Sequence, residues 1–290
     1  MDNLSRGKYD IYLKKLLRRK NVQFIKKNLT KEIKINISNI SHIFHLAGSV
    51  GVKNINKNPY QSFLNNFLSL KNIVDFNKNL KKKAKIILFS TSEVYSNLIK
   101  KKLIKFPIEE INDIVIENTI IGRDAYFLSK IFNEKFVQLS NLNYLILRPH
   151  NVYGPRMGYS HVIPELAKRM LNKKNNQEIE IFSPNHKRAF CYIDDAIHQI
   201  IELSMNKNNN KKIYNIGNMN EEIKMIDVAK KIKLLIGKSL KLKKGKVTEG
   251  SPIRRIPNMS KTLKKIRKKN FVSFDEGLQR TLNWYKIQIN

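Results

Sequence analysis

A chain of 290 residues that is 41% apolar is long enough to bury a sizeable core, which excludes the disordered class. Its 56 Lys and Arg against 23 Asp and Glu give a formal charge of +33, and no apolar run approaches the ~20 residues that span a bilayer. The single cysteine, Cys191, excludes an internal disulfide and suits a reducing cytoplasm.

The charge admits two readings, a polyanion-binding surface or a composition in which lysine fills exposed positions. Lysines are spread through KKLLRRK, NLKKKAK, LIKKKLIK and TLKKIRKK without interleaved aromatics or a binding motif. That spread favours composition, with attraction of anionic substrates as a by-product. Neither nucleic acid nor a membrane is expected as a partner.

The chain opens on MDNLSRGKYD, which has no apolar lead-in and reads as a loop. SHIFHLAG (41–48), AKIILFSTS (84–92) and NYLILRPHNV (143–152) are nearly continuous apolar runs, as parallel strands buried on both faces require. Between them, a helix is predicted after Asn58-Pro59, with Phe63, Phe67, Leu70, Ile73 and Val74 on its apolar face. A second is predicted over about 124–140, with Phe127, Ile131, Phe132 and Phe136 on a face. Strand alternating with helix argues for an α/β, Rossmann-like doubly wound parallel sheet.

Beyond residue 152 the texture is mixed. EIEIFS (178–183) and KIYNIGN (212–218) read as strands, IDVAKKIKLLIG and FDEGLQRTLNWY as helices, and LSMNKNNNKK (203–212) as a solvated turn. The division expected is a dinucleotide-binding domain over 1–152 and a smaller mixed substrate-binding domain over 153–290. Segments around 189–235 are expected to return to the main sheet.

Chemistry concentrates in two places. Tyr126 and Lys130 stand at i and i+4 of a predicted helix, so an ammonium neighbours a phenol and favours the phenolate. Ser90-Thr91-Ser92-Glu93-Val94-Tyr95 follows a buried strand, at the end where open α/β sheets place their sites. His42 and His45 lie i, i+3 in a strand and point to opposite faces, and no Cys/His/carboxylate set has ligand spacing, so no metal site is expected. Cys191, among apolar and aromatic neighbours, reads as an inert strand residue.

The ordered set HLAG, NP followed by Asn66, STSEVY, Tyr126-x-x-x-Lys130, LRPHNVYGPRMG and RAFCYIDD resembles an extended short-chain dehydrogenase/reductase. More narrowly, it is similar to the NAD-dependent nucleotide-sugar epimerase/dehydratase family, and YNIGN, SPIRRIPNMSK and FDEGLQRTLNWY continue in the family's order. The resemblance implies NAD as cofactor. It makes Tyr126 the general base for a sugar hydroxyl, Lys130 the partner of Tyr126 and of the nicotinamide ribose, and Thr91 the hydrogen-bonding hydroxyl at the same place. Leu46, Ala47 and Gly48 would line the dinucleotide, with His150 close to the nicotinamide. Ser92, Asn151, Arg188 and one of Arg254 and Arg255 would meet the substrate and its diphosphate. Helices 58–80 and 124–140 correspond to those that pair across the family's homodimer.

On the reaction, the resemblance leaves alternatives. Ser92-Glu93 stands where a 4,6-dehydratase carries Asp-Glu, which argues against dehydration. An epimerase acting through a transient keto-sugar needs little beyond Thr91 and Tyr126, and GPRMGYSHVIPELAKRM resembles the covering loop of epimerase-like members. The reading favours an epimerase of a UDP-sugar over a UDP-glucuronate decarboxylase-like enzyme using Glu93 and Arg188. An inactive truncated homologue, or a sugar-nucleotide binding module, is the alternative of another class.

The resemblance also explains the opening. D-N-L-S-x-G-K stands at the end of the family's second strand, so Asp2 would bond the adenosine ribose. Asn28 falls where the family has an Asp near adenine. No G-x-x-G-x-x-G or G-x-G-x-x-G occurs in the sequence. The chain is therefore expected to be a truncation in which the first βα unit and its phosphate-binding turn are absent.

Overall fold

The computed structural model describes residues 1–289 apart from 8, 38, 120, 121 and 123. In chain order the elements are α1 (Ile11–Leu17), β1 (His42–His45), α2 (Val52–Lys57), α3 (Pro59–Asn79), β2 (Lys85–Phe89), α4 (Ser96–Lys100), α5 (Asp124–Leu139) and β3 (Tyr144–Pro149). Then follow β4 (Val152–Tyr153), α6 (Val162–Leu171), β5 (Glu178–Ile181), β6 (Lys187–Ala189), β7 (Cys191–Tyr192), α7 (Ile193–Met205) and β8 (Lys212–Ile216). The last are β9 (Glu222–Lys224), α8 (Met225–Ile236), β10 (Lys241–Lys244), β11 (Arg254–Arg255), α9 (Ser260–Leu263) and α10 (Phe274–Ile289). The fold is α/β, with parallel sheet pairing of β1 with β2 and of β3 with β8.

The chain forms two compact units, Met1–Leu88 with Thr119–Tyr144, and Phe89–Asn118 with Leu145–Asn290. In the first, β1 runs parallel to β2, from His42 opposite Lys85 to His45 opposite Leu88. Helix α3 begins where Asn58 accepts from the Gln61 N–H and Pro59 needs no partner for a missing N–H. Its far end is clamped to the start of β2 by buried Asn77, which donates to Ala84 O and accepts from Ala84 N–H, both at 2.8 Å. Leu70, Ile73 and Val74 are buried on the predicted face, while Phe63 and Phe67 meet Phe132 and Phe136 of α5 edge-on at 5.5 and 5.2 Å.

In the second unit β3 and β8 pair in parallel, from Leu145 opposite Lys212 to Pro149 opposite Ile216. Leu145, Ile146 and Leu147 have no solvent exposure, each contributing about 1.5–3 kcal/mol of burial. A separate core gathers Ile163 and Met170 of α6, Val228 and Ile232 of α8 and Leu278 of α10. Helix α8 stops at Gly237, whose φ of 75° is the left-handed cap that glycine adopts freely.

Three expectations need correction. The strand within 41–48 is not buried on both faces, since Ile43 is half-buried and Phe44 is 39% exposed. The strand expected over 143–152 is interrupted, because Asn151 takes a φ of 42° between β3 and β4. The stretch 203–212 is not simply a solvated turn. α7 continues to Met205, and fully buried Asn209 donates to Leu203 O at 3.1 Å while accepting from Tyr214 Oη at 2.8 Å. The amide satisfies a helix-end carbonyl that composition does not reveal.

Candidate active site

Helix α5 carries the first cluster. Its i, i+4 spacing sets the Lys130 Nζ 5.9 Å from the centre of the half-buried Tyr126 ring. Lys130 is 5% exposed, and burial pushes its ammonium down to about 8 while Glu134 favours the charge. Asn66 of α3 ties this turn to the segment after β1. It accepts from the Ser49 N–H at 2.5 Å and donates to Ser129 Oγ at 2.9 Å, and Ser129 donates to Tyr126 O at 2.7 Å. Gly48 lies so near that a Cβ would stand 2.9 Å from Asn66 Oδ1 and 3.9 Å from Lys130 Nζ. Leu46, by contrast, is 63% exposed.

His45 ends β1 buried, with Nε2 3.5 Å from Ser69 Oγ and Nδ1 without a hydrogen-bond partner. Burial first, and then Lys130, hold its imidazolium pKa down to about 3. Asp2 and Asn28 lie elsewhere in the first unit, near the isolated parallel bridge between Asp2 and Lys26. Both are exposed, and both side-chain oxygens turn to local backbone, Asp2 Oδ1 accepting from Leu4 N–H and Asn28 Oδ1 from Thr30 N–H.

In the second unit Thr91 follows β2 and caps the 3-10 turn Ser92–Tyr95, accepting from the Glu93 N–H at 3.2 Å. Thr91 and Ser92 are buried. The Glu93 carboxylate lies 3.9 Å from Arg255 Nη1. Parallel pairing of β6 with β11 sets Arg188 opposite Arg255 and Lys187 opposite Arg254. Arg188 is 8% exposed and donates to Ser251 Oγ at 2.9 Å and Lys187 O at 2.8 Å. Burial, and then Arg255, push its guanidinium down to about 9, so it stays charged at neutral pH.

The neighbouring arginines therefore divide. Arg254 donates through Nε to Glu222 at 2.7 Å and stacks on Phe106, whereas Arg255 joins Glu93 and Arg188. Asn151 donates to Ala189 O at 3.0 Å, which ties the end of β3 to β6. His150 is fully buried, with Nε2 3.1 Å from Asn215 Oδ1. Among the described residues no group of three or more His, Cys, Asp and Glu could hold a metal ion. Cys191 is buried and its thiol pKa is raised, chiefly by burial.

Sequence reasoning passed over Ser129, Arg148 and Asn215. Ser129 lies inside the Tyr126–Lys130 repeat, where its i+3 spacing from Tyr126 was a usable signal. Asn215 lies inside YNIGN, and nothing local marks it as a hub.

Residues 4–217 match the model of the NAD dependent epimerase/dehydratase family. The chain belongs to this family. It is an enzyme family, and NAD is its cofactor. A UDP-N-acetyl-alpha-D-glucosaminuronate decarboxylase of Bacillus cytotoxicus is 29% identical over 257 residues, 84% of this chain and 76% of that protein. A UDP-glucuronate 4-epimerase of Thermodesulfobacterium geofontis is 26% identical, covering 100% of this chain and 88% of its own. Among solved structures, UDP-glucuronic acid 4-epimerase of Bacillus cereus, in complex with UDP-glucuronic acid and NAD, has a TM-score of 0.75 at 24% identity. It covers 96% of this chain and 85% of that one.

The side chains present fit a nicotinamide nucleotide. At Gly48 a Cβ would stand 2.9 Å from Asn66 Oδ1, so the backbone there stays bare, and the buried Lys130 ammonium lies close by. No helix among the described residues is long and apolar enough to cross a membrane.

Proposed function

We propose that this family member is an epimerase of a UDP-sugar, working through a transient keto-sugar. The observation that carries the reading is the buried Lys130 ammonium beside the Tyr126 phenol on α5. A cation held in low dielectric favours phenolate, which fits Tyr126 to take the proton of a sugar hydroxyl. NAD, when bound, supplies the hydride acceptor that later returns the hydride. Lys130 holds the nicotinamide ribose, while Leu46, Ala47 and Gly48 line the cofactor, His150 stands buried behind the nicotinamide, and Asp2 and Asn28 serve its adenosine end. Thr91 hydrogen-bonds the reacting sugar, and Ser92 and Asn151 meet the substrate. Arg188 and Arg255 bind the diphosphate, since two planar forks make paired charge-assisted bonds.

A second reading, decarboxylation of a UDP-hexuronate, is favoured by one observation, the Glu93 carboxylate beside Arg255 and Arg188. Oxidation next to the carboxylate-bearing carbon makes a β-keto acid, which loses carbon dioxide readily. The names of the relatives fit either outcome on a UDP-uronic acid.

Incubation with NAD and UDP-glucose or UDP-glucuronate, followed by NMR of the products, separates the readings. The epimeric UDP-sugar is the result expected, and carbon dioxide with a UDP-pentose would establish the second reading instead. No turnover together with no NAD binding by calorimetry overturns both and leaves a binding module or inactive homologue.

We further infer a homodimer through α3 and α5. Its support is Phe132, 52% exposed, and Tyr60, 74% exposed, on the helices that carry the Phe63–Phe132 and Phe67–Phe136 pairs. Monomer alone in sedimentation at micromolar concentration would sink this. The buried thiol of Cys191 suits a cytoplasmic location.

A further inference from the structure

A buried hydrogen-bond chain in the second unit converges on Asn215 of β8. Its Nδ2 donates to Ile108 O at 2.9 Å and to Asn258 O at 3.4 Å. Two carbonyl acceptors on that side fix which end of the amide is nitrogen, because a carbonyl can only accept. Oδ1 therefore faces the other way, 3.1 Å from His150 Nε2 and 3.3 Å from Tyr95 Oη. Tyr95 Oη in turn accepts from Arg148 Nη1 at 2.7 Å, which directs the Tyr95 proton onto Asn215.

An amide oxygen has no hydrogen to give, so the hydrogen between Asn215 and His150 belongs to His150 Nε2. The other ring nitrogen, Nδ1, is buried without a hydrogen-bond partner. A second proton there is opposed by burial and by Arg255 and Arg148, which outweigh the Asn215 bond and hold the imidazolium pKa down to about 3. The Tyr95 ring, 6.0 Å away, is the aromatic neighbour of this imidazole.

We propose that Asn215 is a positioning residue that locks His150 as the neutral Nε2–H tautomer, so that an uncharged ring stands buried behind the nicotinamide. The lock stands on the Asn215 hydrogen bonds and on the buried Nδ1 that has no partner, and its use rests on the reading that places His150 beside the cofactor. Oxidised nicotinamide is a cation, and an imidazolium beside it would oppose its binding by like-charge repulsion. On this assignment His150 is no proton carrier, although histidine is the side chain most often given that task.

Side-chain ¹⁵N NMR of the whole chain reads the tautomer directly. In the unsubstituted protein the expected spectrum has a protonated Nε2 and a bare Nδ1 for His150, unchanged between about pH 5 and pH 8. A Nδ1–H tautomer, or titration near the ordinary histidine value, overturns the proposal. Asn215→Asp, nearly isosteric, keeps an acceptor against Nε2 and sets its other oxygen against the Ile108 and Asn258 carbonyls, and where that carboxyl is ionised it is expected to raise the His150 pKa by at least one unit. Asn215→Leu is expected to release the ring into a mixture of tautomers, and an unaltered spectrum in that variant also overturns the lock. NAD calorimetry on Asn215→Asp then tests the use of the neutral ring. Affinity should fall about tenfold on acidification, in step with the His150 titration. Flat affinity in a variant whose His150 is shown to be charged overturns the placement of His150 beside the nicotinamide and leaves the tautomer lock standing.

Discussion

Helix α5 and the strand pair β6–β11 assemble charge in different ways. On α5, Tyr126 and Lys130 are neighbours because one helical turn separates them, and the cation is buried to 5% exposure. In β6–β11, Arg188 and Arg255 are distant in sequence and meet because the parallel register sets them opposite each other. The first arrangement depends on local spacing and burial. The second depends on register, and a slip of one residue would bring Arg254 into the place of Arg255.

The largest effect is expected where spacing makes the chemistry. Tyr126→Phe removes the acid–base hydroxyl and should lower kcat by about 10²–10⁴-fold with little change in fold. Normal turnover by this variant would remove Tyr126 from the role of base.

The register half comes next. Arg255→Gln should weaken UDP-sugar binding by about 10–100-fold, the worth of one or two charge-assisted bonds, as read by calorimetry. Unchanged affinity would remove the strand pair from diphosphate recognition.

The buried ammonium then predicts a pH dependence of stability. With its pKa held at about 8 in the folded chain against 10.5 for an ordinary lysine, Lys130 is protonated in both states below about pH 8. Between those values the unfolded chain binds more protons, so stability rises with pH across that window. The slope from this group is roughly 1.4 kcal/mol per pH unit. Chemical unfolding at a series of pH values should show the rise, and Lys130→Met should remove it. The same slope in the variant would mean that another group is responsible.

The smallest effect sharpens the contrast within β11 itself. Arg254 is 40% exposed and paired with Glu222, so Arg254→Gln should cost no more than about 1 kcal/mol and leave UDP-sugar affinity within about twofold. A loss as large as that of Arg255→Gln would reverse the division between the two.

What was legible in the sequence followed from short-range rules. The Tyr126–Lys130 pairing came from helical spacing, α3 from its Asn58-Pro59 start, and the buried strands β2 and β3 from unbroken apolar runs, whereas the same kind of run in β1 leaves Phe44 39% exposed. The stretch 203–212 shows the limit, since polar composition predicts solvent while buried Asn209 is used as a helix-end partner. Asn215 shows it more strongly. The four partners of its side chain, Ile108, Asn258, His150 and Tyr95, come from four separate stretches of the chain.

The sequence by itself determined the family, the α/β class and the pairing on α5, because ordered motifs and one-turn spacing survive without coordinates. Only the tertiary structure separated Arg255 from Arg254, joined Asn66 to Ser129 and set the hydrogen on one nitrogen of His150. Those outcomes depend on strand register and on which buried donors face which acceptors. Both are properties of chain segments meeting in space, and no local pattern encodes them.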